Sequence, residues 1–154
     1  MEERIKILEK CELFRRLPPE ALAAAAARCE EGEAKEGDVI LVEGKPTDAV
    51  YVLADGKVDY IKQVDEKRGL VISRWQAGAV FGLSSVMDGQ EQYVSAVATT
   101  PVKYLKLPVV DFWAVCAEDP RYEHGIYWQT LLIQSVALRQ VTLRLREFLA
   151  KMIK

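Results

Sequence analysis

The stretch Gly78-Ala79-Val80-Phe81-Gly82-Leu83-Ser84-Ser85, followed by a short polar loop and then Tyr93-Val94-Ser95-Ala96-Val97-Ala98-Thr99-Thr100, decides how the rest of this chain is read. A strand runs into Gly82, a short turn of helix over Leu83 to Met87 aims backbone N–H groups outward, and a second strand returns through Tyr93. This layout suits the cradling of a phosphate. The side chains do not complete that chemistry: no Lys or Arg occurs between Arg74 and Lys103, and the only charges in the loop are Asp88 and Glu91.

On both sides of the cassette the chain reads as short strands. The β-branched runs Val39-Ile40-Leu41-Val42, Ala49-Val50-Tyr51-Val52-Leu53, Lys57-Val58-Asp59-Tyr60-Ile61, Leu70-Val71-Ile72 and Val102-Lys103-Tyr104-Leu105 are each bounded by a turn signal. Those signals are Glu36-Gly37-Asp38, Glu43-Gly44-Lys45-Pro46, Asp55-Gly56, Arg68-Gly69 and Thr100-Pro101. Strands of this length and spacing make a compact antiparallel β structure. Asp55-Gly56, between two alternating runs, predicts a hairpin with a type I′ turn.

Helices flank this β region. Ile5, Leu8, Cys11, Leu13 and Phe14 recur at helical spacing up to Leu17, where Pro18-Pro19 stops the helix. Pro19 then suits the first turn of a second helix through the alanine run to Cys29. Pro108 to Asp119 returns to helix, and Arg121 to Lys154 reads as one long helix without a proline. The expected fold is therefore α+β: N-terminal helices over 1–31, an antiparallel β-roll of jelly-roll-like, double-stranded-barrel form over 32–108 with the cassette at 78–100, and C-terminal helices over 109–154. The three parts make one domain, since 154 residues leave no room for a second of ordinary size.

Composition narrows the function. A net charge of −2 with 29% charged residues describes a soluble protein with no basic excess for wrapping nucleic acid. Cys11, Cys29 and Cys116 are odd in number, far apart and outside metal-ligand spacing with the single histidine, His124, so they read as reduced thiols and no metal site is expected. The charged start Met1-Glu2-Glu3-Arg4 lacks a signal peptide's apolar core, and no apolar run reaches membrane-spanning length. A cytoplasmic location is the expectation, with no membrane partner.

The order of elements and glycines resembles the cyclic-nucleotide-binding domain superfamily of the catabolite activator and the protein kinase A regulatory subunit. Leu13-Phe14 with Leu17 and a following Pro-Glu pair looks like the family's opening helix. Glu36-Gly37-Asp38-Val39-Ile40, Glu43-Gly44, and Asp48 ahead of Val50-Tyr51-Val52-Leu53 and Gly56 look like the first half of its roll, and Gly78, Phe81 and Gly82 match its cassette. The resemblance implies a ligand pocket of Phe81, Gly82, Leu83, Ser84, Ser85, Gln92, Tyr93 and Val94, with Thr142 as a candidate hydroxyl reaching the ligand's base. The alternative for Thr142 is an ordinary residue flanking a helix seam.

In the family a glutamate after the cassette glycine accepts the ribose hydroxyl, and an arginine at the start of the next strand holds the cyclic phosphate. The matching places here hold Leu83 and Gln92; an alternative register puts Glu91 or Gln90 at the strand position, and no register supplies an arginine. Loss of two charge-assisted bonds at about 1.5–3 kcal/mol each weakens binding by roughly 3–6 kcal/mol, or about a hundred- to ten-thousandfold. No cofactor is assigned, and a cyclic nucleotide is a disfavoured ligand.

The last helix carries Leu131, Leu138, Leu145 and Met152 seven apart, with Gln134, Val141 and Phe148 as the second seam, which is about three heptads of a dimer pattern. The competing reading packs that stripe on the chain's own roll. Trp128, Leu132, Val136, Leu149 and Ile153 offer a second apolar flank for that purpose, leaving the heptad seam for a second copy. Arg139, Arg144, Arg146, Lys151 and Lys154 suit a helix C-terminus. Activator-type relatives continue into a winged helix-turn-helix, whereas this sequence stops at Lys154, so no direct DNA binding is expected.

Three functions remain. One is a stand-alone regulatory domain sensing a small molecule other than cyclic AMP or cyclic GMP, with Ser84 and Ser85 as polar handles. The second is a dimeric interaction platform without a ligand, in which Leu83 fills the pocket, or else the sensor fragment of a longer transcriptional regulator. Catalysis is the third and is not expected, since no nucleophile–base pair or carboxylate dyad is present.

Overall fold

The computed structural model describes residues 1–153; Lys154, read above as the end of the last helix, lies outside the described residues. The chain opens with α1 (Glu2–Lys10), a 3₁₀ turn (Glu12–Phe14) and α2 (Pro19–Arg28). The first helix is thus shorter than its periodicity predicts. Leu8, Cys11, Leu13, Phe14 and Leu17 are all buried, and together they span a wider arc than one helical face covers. Extended backbone at Cys11 (φ −81, ψ 127) breaks the helix and turns Leu13 and Phe14 inward. Pro19 opens α2 and Cys29 ends it, as the sequence indicates.

The strands are β1 (Glu30–Ala34), β2 (Val39–Leu41), β3 (Ala49–Asp55), β4 (Lys57–Gln63), β5 (Gly69–Gln76) and β6 (Val80–Phe81). After α3 (Leu83–Asp88) come β7 (Ser95–Ala98), β8 (Val102–Pro108), α4 (Val109–Ala117) and α5 (Pro120–Ile153). They form two four-stranded sheets, ordered β1-β8-β3-β6 and β2-β7-β4-β5, with antiparallel pairing throughout. This is the α+β roll expected.

The apolar run of β3 does not alternate because both of its faces are covered. Ala49, Tyr51 and Leu53 enter the core between the sheets, where Tyr51 stacks on Phe81 with ring centroids 5.1 Å apart. Val50 and Val52 face the helices, packing with Leu8, Phe14, Leu105, Phe112 and Ile126. All three cysteines are buried on this side and unpaired. Burial pushes the Cys11 thiol up to about 12 and those of Cys29 and Cys116 to about 11, so they are protonated at neutral pH.

Two strand expectations are corrected. Asp55-Gly56 does not close a hairpin: β3 pairs with β6 and β8, β4 pairs with β5 and β7, and the turn passes the chain from one sheet to the other. Only Gly56 has positive φ, +94, which excludes a type I′ turn. A Cβ there would overlap the Pro101 carbonyl oxygen. Gly56→Ala is expected to cost at least about 2 kcal/mol, from backbone strain plus crowding, and chemical denaturation of the two proteins measures it.

The second is the start of the roll: α2 ends at Arg28 and β1 begins at Glu30, within the 1–31 span read as helical, and its Glu30-Glu31-Gly32-Glu33-Ala34 carries no apolar run. It is an edge strand, where charge guards against pairing with other chains. Its register places Glu30 opposite Lys106 and Glu33 opposite Lys103, an opposite-charge pattern that supports the pairing.

Candidate ligand pocket

The pocket forms where the cassette meets the second sheet and α5. Gly82 caps α3 with φ +79, a conformation open to glycine, and a Cβ there would stand 3.1 Å from the Ala49 carbonyl oxygen. The Gly82 N–H donates to the Tyr60 hydroxyl at 3.3 Å, which joins the cassette to β4. Burial, followed by the nearby Tyr93 phenol, pushes the Tyr60 phenol above its ordinary range and keeps it neutral.

Gln92 is held by its backbone. Its N–H donates to the Lys45 carbonyl at 2.9 Å and its carbonyl accepts from the Gly44 N–H at 2.8 Å, so the Glu43-Gly44-Lys45-Pro46 turn fixes it in place. Its side chain is buried, and the Nε2 has no hydrogen-bond partner among the described residues. The Ser85 Oγ is buried in the same unpartnered way. Ser84 differs: its Oγ accepts from the Gln134 Nε2 at 2.9 Å and ties the cassette to α5. Further along, Arg144 donates to the Val71 carbonyl at 2.8 Å, tying α5 to β5.

The resulting cavity holds about 30 Å³ between Tyr60, Trp75, Val80, Gly82, Leu83, Ser84, Gln92, Tyr93, Val94, Ile133, Gln134 and Ala137. That is room for about one water, against about 300–1,000 Å³ for an ordinary small-molecule site. Its lining contains no charged side chain among the described residues. The cation nearest in sequence, Arg74, lies outside the lining, 3.7 Å from the Asp59 carboxylate.

Six of the expected residues therefore converge: Gly82, Leu83, Ser84, Gln92, Tyr93 and Val94. Three do not. Phe81 belongs to the core between the sheets, because β6 turns alternate side chains to opposite faces and Val80 faces the pocket instead. Ser85 is buried one position beyond the lining. Thr142 is exposed and donates to the Leu138 carbonyl at 2.8 Å, a turn and more past the pocket. The helix residues that close the pocket are Ile133, Gln134 and Ala137.

Gln134, expected on the dimer seam, thus faces the chain's own roll, since the phase of α5 that buries Ile126 carries Gln134 over the cassette. The second flank also departs from expectation. Trp128, Leu132, Val136, Leu149 and Ile153 are exposed, and Trp128 meets the Arg16 guanidinium, 5.0 Å above its ring, and the His124 ring. Leu131, Leu138, Val141, Leu145, Phe148 and Met152 are exposed as the heptads require.

Sequence reasoning missed Tyr60, Trp75, Val80, Ile133 and Ala137. The signal for Tyr60 was its place two residues after the inward Val58. Trp75, 5.6 Å from Tyr60 with its ring edge-on, lies on a strand read too short.

An orphaned donor in a tight apolar site has a measurable consequence. Gln92→Met keeps the volume and removes the unpartnered N–H group, which is expected to stabilise the fold by about 1 kcal/mol and raise the thermal midpoint by about 2–4 °C. A fall in the scanning-calorimetry midpoint would mean that Gln92 has a partner.

Comparison with known proteins identifies the fold. Residues 31–119 match the family described as the cyclic nucleotide-binding domain. The chain is 32% identical over 100 residues to the cAMP-dependent protein kinase regulatory subunit of Aspergillus niger, covering 65% of this chain and 24% of that one. It is 24% identical over 102 residues to the CRP-like cAMP-activated global transcriptional regulator of Mycobacterium tuberculosis, covering 66% and 46%. The chain thus spans less than half the length of these relatives, both of which are regulatory proteins by name. A solved cyclic nucleotide-binding domain from Methylobacillus flagellatus superposes with a TM-score of 0.79 at 25% identity, covering 93% of this chain and 80% of that one. This chain belongs to the cyclic nucleotide-binding domain family.

Proposed function

We propose that this chain is a regulatory, ligand-sensing module that does not take cyclic AMP or cyclic GMP with the affinity typical of its family, and that it works in the cytoplasm as a homodimer through α5. The observation that supports this reading is a pocket formed by the cassette, the second sheet and α5 with no charged side chain in its lining. A cyclic phosphate placed there would lose its hydration with no cation to replace it. The buried, unpartnered Gln92 Nε2 in the lining instead suits an uncharged molecule bearing hydrogen-bond acceptors.

Sensing follows from the closure. At about 30 Å³ the pocket admits a ligand only when α5 moves, and that movement breaks the Gln134–Ser84 bond. Ligand affinity and the position of α5 are then linked, because a ligand shifts an equilibrium by its preference for the open state. The exposed seam from Leu131 to Met152 lies on the same helix, so opening alters how a second copy is presented. No helix among the described residues is long and apolar enough to cross a membrane, and three buried, unpaired thiols fit a reducing compartment.

The near-complete filling of the pocket favours a second reading, an interaction platform in which Leu83, Tyr60 and Trp75 are permanent core. Native mass spectrometry of protein purified without added ligand separates the two. A dimer carrying the extra mass of an uncharged small molecule supports sensing; a bare dimer in every preparation supports the platform, and a bare monomer at micromolar concentration contradicts the dimer.

A further inference from the structure

A cleft of about 840 Å³ opens behind the pocket, between the N-terminal segment and the ends of β4 and β5. Four cations line it from two directions: Lys10 and Arg15 from the N-terminal segment, Lys57 and Arg74 from the sheet. We infer that this cleft is a second ligand site, for a small soluble molecule carrying more than one phosphoryl-type anionic group. The inference goes beyond the reading of the closed pocket and does not depend on it.

The charges are concentrated against the trend of the chain, whose net charge is −2. Two carboxylates also line the cleft, Glu12 and Asp59. Asp59 is buried and meets Arg74 loosely at 3.7 Å, so it leaves that guanidinium's other donors free. Lys10, Arg15 and Lys57 have no carboxylate within salt-bridge distance among the described residues. Like charges gathered in a concave wall repel one another, and a multivalent anion relieves that repulsion while gaining charge-assisted bonds.

The walls are held in place. The Gly78 turn lies close to the end of α1, where a Cβ on Gly78 would come within 3.3 Å of the Lys10 carbonyl oxygen. On the other side, Lys57 N–H donates to the Thr100 hydroxyl at 3.0 Å, and the Thr99 hydroxyl donates to the Lys57 carbonyl at 3.3 Å. The volume falls in the range of sites for molecules of nucleotide size, about 300–1,000 Å³. Trp75 forms part of both walls, standing between the cleft and the closed pocket with its Nε1 buried and unpartnered. The anion-binding charge that the pocket lacks thus lies on the far side of a single indole.

Trp75 also supplies the readout. Inorganic pyrophosphate titrated into the full chain at low salt is expected to change tryptophan fluorescence saturably, with a dissociation constant below about 1 mM. The change should vanish in Trp75→Phe, which leaves Trp113 and Trp128 in place. The double variant Arg15→Gln with Arg74→Gln should bind at least about tenfold more weakly by calorimetry, while Arg146→Gln, outside the cleft's lining, should bind as the parent does. No saturation by about 10 mM pyrophosphate at ionic strength matched with chloride, or an unchanged constant in a folded double variant, would overturn the site. Citrate binding more tightly than pyrophosphate would overturn the phosphoryl assignment. Cosedimentation with phosphatidic acid vesicles that pyrophosphate displaces would overturn the soluble source.

Discussion

Replacing Leu138 and Leu145 together by Asp is expected to halve the mass of the particle in solution, from two chains to one. Both side chains are well exposed on a single chain, 68% for Leu138 and 55% for Leu145, and neither touches the pocket. A parallel pair of α5 helices would bury each beside its own counterpart, so every substitution sets two carboxylates against each other in an apolar seam. An uncompensated buried charge costs about 3–5 kcal/mol, and four of them exceed what three heptads supply. Sedimentation velocity measures the outcome, with circular dichroism confirming that the roll stays folded. Leu143→Asp, on the opposite side of the helix, should leave the dimer intact. A parent that stays monomeric when concentrated, or a double variant that stays dimeric, defeats the account of α5.

The second large effect is a gain. Leu83→Glu combined with Gln92→Arg is expected to bind cyclic AMP at least about a hundredfold more tightly than the parent. The glycines already fix the backbone of the cassette, and both positions line one cavity, so the acid and the cation arrive in the same site. The structure adds a condition. Leu83 and Gln92 are each almost fully buried, with Leu83 in the core that Val86 and Val80 share. Leu83→Glu alone should therefore destabilise the fold by about 3–5 kcal/mol, whereas the pair partly compensates. Calorimetric titration of the folded double variant reads the result. If it stays blind to millimolar nucleotide, Tyr60, Trp75 and Ile133 hold the pocket shut, and the platform becomes the better reading.

The roll was legible because glycine and proline punctuate it: Gly37, Gly44, Gly56, Gly78 and Gly82 all take positive φ where the chain turns. What each turn joins was not legible. Asp55-Gly56 has a hairpin's composition, yet it connects two sheets, since pairing is decided by partners distant in sequence, β8 for β3 and β7 for β4. β1 escaped notice because an exposed edge strand needs no apolar alternation.

The pocket divided along the same line. Residues contiguous with the cassette, Gly82 to Ser84 and Gln92 to Val94, could be named from local order. Tyr60 and Trp75 arrive through strand register, and Ile133, Gln134 and Ala137 through the rotational phase of a helix with apolar residues on several faces. The heptad pattern could assign Gln134 to a seam, but only the packing of α5 on the roll shows it bonded to Ser84.

The central claim is that the uncharged cassette pocket refuses a cyclic nucleotide's anion. Amide-resolved NMR titration of the unmodified protein with cyclic AMP tests it at the site itself. The account predicts that the amides of Gly82, Leu83, Ser84 and Gln92 show no saturation below about 0.1 mM nucleotide, consistent with a loss of roughly two to four decades in affinity. Saturable shifts of those amides at micromolar nucleotide would contradict it.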